Sequence, residues 1–148
     1  MRNFLVILSV LFFGLYSCQE QPKANDANVR SKENGAKVQP KGDETYIMQL
    51  QSQVNTVKQQ LPTDMGGIFY FDIELDKEAR ILTHSYQYVN NPQVTDEQIE
   101  SMKKDMISMI KASPSDRMPI DNGFAMRFNY FSNNKELLFT VTITPNDL

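Results

Sequence analysis

The chain has few residues that commonly carry catalysis. Its 148 residues include one histidine, one cysteine and no tryptophan. With His84 as its only imidazole, it cannot assemble a two-histidine metal site or a conventional metal triad. With Cys18 as its only thiol, it can form neither an internal disulfide nor a thiolate cluster. Its six glycines build neither the Gly-x-Ser-x-Gly elbow of a hydrolase nor a phosphate-cradling loop, and no Cys–His pair stands near them. No cofactor is expected, and the chain reads as a non-enzyme. Long apolar runs are also missing. The longest, Phe4 to Tyr16, falls short of the roughly 20 residues a membrane-crossing helix needs. From Asp43 onward nine Lys and Arg face fifteen Asp and Glu, a net charge of −6. Nucleic-acid binding needs a basic footprint to replace counterions, so that function is excluded.

What is present begins at the N-terminus. Met1-Arg2-Asn3 is a short positive start, the run from Phe4 is hydrocarbon, and Leu15-Tyr16-Ser17-Cys18 closes it. This order resembles a bacterial lipoprotein signal peptide over residues 1–17. The resemblance implies that Cys18 is lipidated, by palmitate among other chains, and becomes the first mature residue. The alternative is an ordinary signal-peptidase site beside a leftover thiol. Two or more acyl chains, each worth about 0.8 kcal/mol per buried CH₂, hold a protein stably at a membrane. Gln19 stands where inner-membrane lipoproteins typically carry aspartate, so the resemblance implies the outer membrane if the cell is diderm.

Residues 18–42 form the next segment. Gln, Pro, Lys, Asn, Ala, Gly and Ser dominate it, with Val29 and Val38 its only large aliphatics. Such a composition buries too little apolar surface to offset ordering entropy, so a disordered tether is predicted. A flexible coil of this length spans about 25–30 Å. Five basic against three acidic residues give it a charge of +2.

Residues 43–148 read as a single α+β domain. Tyr46, Ile47, Leu50, Val54, Val57 and Leu61 recur at helical spacing, and Pro62 stops the helix. Ile68 to Leu75 alternates as a strand, with Phe69, Phe71, Ile73 and Leu75 on one side and Tyr70, Asp72 and Glu74 on the other. Asp76 to Ala79 is a polar turn, and Arg80 to Val89 completes a hairpin. Thr95 with Gln98 forms a capping box for a second helix, with Val94 and Ile99 as a hydrophobic staple. Ile99, Met102, Met106, Met109 and Ile110 supply its buried stripe, and Ser113-Pro114 ends it. An irregular stretch through Pro119 and Asn122-Gly123 follows. A second hairpin then runs from Phe124 to Ile143, turning at Asn133-Asn134 because asparagine tolerates left-handed geometry. The order α-β-β-α-β-β predicts a four-stranded antiparallel sheet with two helices on one face.

The uncovered face is the candidate contact surface, carrying Tyr70, Asp72, Glu74, Arg127 and Asn129. Asp72, Glu74 and Asp76 alternate along one strand, but an extended strand spaces its carboxylates too far apart for a shaped calcium loop, so no metal site is predicted. His84 reads as a packed imidazole. Tyr86, Tyr88 and Tyr130 suit either an interface or the core.

Gly123-Phe124, Arg127-Phe128-Asn129-Tyr130, Lys135-Glu136 and Thr142-Ile143-Thr144-Pro145-Asn146-Asp147-Leu148 resemble the ending of a loose group of small, uncharacterised bacterial lipoproteins. That resemblance spans residues 61–148 and implies no catalytic residues. A strand pair and helix followed by Pro119 and Asn122-Gly123 also resemble the carboxyl-terminal domain of TonB. The chain lacks the TonB membrane span and proline-rich spacer, so that function is not carried over. The expected role is a lipid-anchored cell-envelope protein, attached to the membrane through its N-terminal lipid, that acts as a binding or assembly module for a protein partner. The alternative is an inhibitor or immunity protein for a secreted enzyme or toxin, where the acidic domain would suit a basic partner.

Overall fold

A computed structural model of the protein describes residues 41–148. The signal-like segment 1–17, Cys18 and the tether up to residue 40 lie outside the described residues. Helix α1 is Lys41–Lys58, opening two residues before the expected start. Asp43 and Glu44 sit in its first turn and Lys58 in its last, each sign beside the dipole end it stabilises. Leu50 and Val54, one helical turn apart, are buried. A two-residue strand β1, Thr63–Asp64, follows and was not predicted. Strands β2 (Ile68–Asp76) and β3 (Ile81–Tyr88) form the first hairpin. Asp76 Oδ1 accepts from the amides of Glu78 (3.1 Å) and Ala79 (2.8 Å), and Arg80 closes the turn at φ 54°.

Helix α2 is Asp96–Ala112 and starts on the predicted capping box. The Gln98 amide donates to Thr95 Oγ1 at 3.3 Å, and the Thr95 amide donates to Gln98 Oε1 at 2.9 Å. Ser113 ends α2 and also begins α3, Pro114–Asp121, where an irregular stretch was expected. Its hydroxyl accepts from the Asp116 amide at 3.4 Å. Pro114 occupies the first turn, where a missing N–H costs no bond. Strands β4 (Ala125–Phe131) and β5 (Leu137–Ile143) form the second hairpin, and a 3₁₀ turn, Pro145–Asp147, closes the chain. In the β4–β5 loop the left-handed residue is Lys135, at φ 65°, and not an asparagine. Ser132 Oγ holds this loop by accepting from the amides of Asn134 (3.2 Å) and Glu136 (3.1 Å).

The sheet differs from the expected four antiparallel strands. It has five strands in the order β1-β2-β3-β4-β5, and its central pair, β3 and β4, is parallel, with Ile81 opposite Ala125 and Gln87 opposite Phe131. Length explains the change. The 17 residues of α2 rise about 25 Å at 1.5 Å each. The eight residues of β3 extend about 26 Å at 3.3 Å each. The helix therefore carries the chain back along the full length of β3, and the next strand sets out from the same end.

Residues in register share a face, and one face is closed. Tyr70, Ile73, Leu82, His84, Tyr86, Tyr88, Met126, Phe128, Tyr130, Phe139, Val141 and Ile143 are all buried there. Helix α2 packs against β5 and α3 against β4. Tyr46 of α1 meets the buried Phe124 ring, which precedes β4, at 6.1 Å. Arg80 lies 5.0 Å over that same ring and is ion-paired to Asp43, tying the start of α1 to the hairpin turn.

Candidate functional site

The opposite face of the sheet is only half-buried, and its residues fall into rows across the strands. Phe69, Gln87 and Phe131 share one row, continued by Leu137. Asp72, Ser85, Asn129 and Thr140 form the second, and Glu74, Thr83, Arg127 and Thr142 the third. Four of the five predicted contact residues, Asp72, Glu74, Arg127 and Asn129, are thus on this face. Asn129 Oδ1 accepts from Thr140 Oγ1 at 2.9 Å, and Asp72 pairs with Lys58 of α1 at 3.5 Å. Glu74 and Arg127 are separated by the intervening Thr83, so the third row presents charges of both signs without pairing them directly.

Tyr70 is the exception. It was expected beside Asp72 and Glu74, yet it lies on the closed face. The cause is a β-bulge. Tyr70 opposes Tyr86 while Asp72 opposes the adjacent Ser85, so Phe71 is an extra residue in β2. One inserted residue reverses the alternation before it. Tyr70 therefore joins Ile73 in the core, and Phe69 moves to the open face.

The tyrosines that suited either interface or core are core. Tyr70, Tyr86, Tyr130 and Phe139 stack in a ladder across four strands, with centroids 5.0, 5.2 and 4.6 Å apart. Burial pushes the Tyr70, Tyr86, Tyr88 and Tyr130 hydroxyls upward in pKa, and the Asp72 charge adds to this at Tyr70. His84 is buried beside this ladder, its ring 5.8 Å from that of Tyr70 and stacked on Phe128 at 5.1 Å, with Nδ1 3.0 Å from the Tyr70 hydroxyl. Desolvation lowers its pKa to about 4. An imidazole this deep is a structural element and lies out of reach of a substrate.

Sequence reasoning missed the apolar end of the open face. The Phe71 ring meets Phe131 edge-on at 5.6 Å, and Leu137 and Leu138 are 56% and 39% exposed. The available signal was the Leu137-Leu138 pair, since two adjacent leucines in an edge strand cannot both enter the core. Among the described residues no group of His, Cys, Asp and Glu is placed to hold a metal ion.

The architecture is that of a small α+β domain with helices on one sheet face and the other sheet face open. No protein-family description matches the chain, and no curated protein sequence does. Its fold is shared with solved structures. The pilotin EpsS of the Vibrio vulnificus type 2 secretion system matches with a TM-score of 0.56 at 14% identity, over 71% of this chain and 93% of its own. The type II secretion pilotin AspS of Vibrio cholerae matches at 0.52 and 15% identity, over 72% and 96%. A Pseudomonas aeruginosa protein matches at 0.56 and 8% identity, over 74% and 98%. At these identities the likeness establishes the fold.

Proposed function

We propose that the protein is a lipid-anchored, non-enzymatic component of the bacterial cell envelope that binds another protein as an assembly module, in the manner of a secretion pilotin. The observation that carries this reading is the fold shared with two type II secretion pilotins over more than nine-tenths of each. The open face supports it, because it sets an apolar end around Phe71, Phe131 and Leu137 beside polar rows, a composition suited to protein contact. The signal-like segment before Cys18 supports membrane attachment, and Gln19 supports the outer membrane of a diderm cell.

Two measurements test the proposal. Labelled palmitate should enter the wild-type protein and be absent from Cys18→Ala. Affinity capture from detergent-solubilised envelope should return a stoichiometric component of an envelope machine. Capture of a single secreted enzyme or toxin would replace this reading with that of an inhibitor or immunity protein. Turnover abolished by a point change in the domain would overturn both.

A further inference from the structure

We propose that the slot between α1 and the outer edge of β2 receives an extended segment of a partner protein in which basic residues alternate with aliphatic ones. This rests on the protein-binding reading above and adds a place and a chemistry to it. Strand β1 covers β2 only at Phe69 and Tyr70. From Asp72 to Asp76 no strand among the described residues flanks the outer side of β2. Helix α1 runs beside this edge, held at one end by Asp43 to Arg80 and at the other by Lys58 to Asp72. Between them lies a groove of about 520 Å³, lined by Gln51, Val54 and Asn55 from the helix and by Glu74, Leu75 and Asp76 from the strand. Lys58 and Lys77 stand at its margins.

The main chain of the edge is turned to the groove. The Ile73 amide donates to Asp72 Oδ1 at 2.8 Å, so it points away from β3. Main-chain groups two residues apart share a direction in an antiparallel ladder, and Leu75 therefore offers its amide and carbonyl outward. An extended segment added here gains hydrogen bonds from the backbone and selectivity from alternate side chains.

Those alternate positions meet different surroundings. On the open-face side stand the exposed carboxylates of Glu74 and Asp76, while Asp72 is already neutralised by Lys58. On the other side stands the half-buried Leu75. Opposite charges across neighbouring strands attract and like charges repel. Lysine or arginine at every second position, with aliphatic residues between, satisfies both sides at once. With Lys58 engaged by Asp72, two carboxylates outweigh Lys77, so an acidic segment is disfavoured.

The test uses the full-length protein in detergent and three fluorescein-labelled octapeptides: alternating Lys and Val, the same residues in two blocks, and alternating Glu and Val. Fluorescence anisotropy should show the alternating lysine peptide binding about tenfold or more tighter than the block peptide. Asn55→Trp, at an exposed helix position, should fill the slot and weaken binding by about the same factor. Glu74→Lys, which leaves the Asp76 turn intact, should shift the preference towards the alternating Glu peptide. Equal binding of alternating and block peptides, absence of binding, or binding unaffected by Asn55→Trp would each overturn the proposal. An envelope partner captured equally by wild type and Asn55→Trp removes this inference and leaves the protein-binding reading intact. Peptide discrimination in a protein with no envelope partner does the reverse.

Discussion

The Tyr70 hydroxyl lies 3.0 Å from His84 Nδ1, in a layer of stacked rings where His84 is 1% exposed. Burial favours the uncharged form of both groups. The phenol keeps its proton because its pKa is raised, and the imidazole stays neutral because its own is lowered. The pair is therefore a hydrogen bond between neutral groups, and it holds the bulged segment of β2 against β3. The bulge that removed Tyr70 from the open face also supplied the core with this contact.

A pH dependence follows from it. The His84 pKa falls from 6.5 to about 4 on folding, so the unfolded chain binds a proton that the folded chain refuses. The contribution to stability is whole above pH 6.5, declines as pH falls from 6.5 to 4, and is flat below. A fall from 6.5 to about 4 corresponds to roughly 3 kcal/mol. Urea midpoints of wild type and His84→Gln across that window should show a steeper acid loss in wild type. Parallel curves for the two proteins would refute the assignment.

Tyr70→Phe removes the hydroxyl and leaves the ring ladder. The cost expected is about 1–2 kcal/mol, because a buried nitrogen loses its partner. Arg127→Ala, on the open face, should change stability by less than about 0.5 kcal/mol. Chemical denaturation of the two variants side by side measures the difference between the faces. Equal losses would mean that the open face is also structural.

The local elements were legible because each has a short-range cause. The Thr95–Gln98 box marks α2, and alternation marks the hairpins. The parallel pairing of β3 with β4 is marked by no residue in either strand; it follows from how far α2 carries the chain, and the bounds of α2, from Thr95 to Ser113-Pro114, were already in the sequence. Helix α3 was legible in principle, since Ser113-Pro114 reads equally as the end of one helix and the capped start of another. The bulge at Phe71 left no mark. Phe69, Phe71, Ile73 and Leu75 alternate without a break, and only the shared core with β3 and β4 decides which face Tyr70 takes. For the candidate surface, Asp72, Glu74, Arg127 and Asn129 follow simple alternation, whereas the slot beside β2 depends on the placement of α1, which periodicity does not specify.

Thr95→Ala should destabilise the domain by about 1 kcal/mol, since it leaves the Gln98 amide without its cap. The loss should be largest at the start of α2, which hydrogen exchange at residues 96–99 reads directly. Unchanged exchange there would show that solvent replaces the cap at no cost.

Asp147 joins the end of the chain to α2. Its carboxylate meets Lys103 Nζ at 2.9 Å and accepts from the Thr144 amide at 2.8 Å and the Thr144 hydroxyl at 2.7 Å. The hydrogen bond from Lys103, followed by those from Thr144, holds its pKa down at about 2. A lowered carboxyl pKa contributes stability that is present above the unfolded value of 3.8 and fades as pH falls towards 2. Water reaches this pair, so the contribution is modest and salt-screened, and the titration is a sharper readout than stability. Carboxyl NMR should place the Asp147 midpoint near 2 and move it upward in Lys103→Ala. It should stay below 3.8 in that variant, because both Thr144 bonds remain. A midpoint unmoved by Lys103→Ala would show that the Thr144 turn alone sets the charge, and that α2 and the chain end are held together by apolar packing.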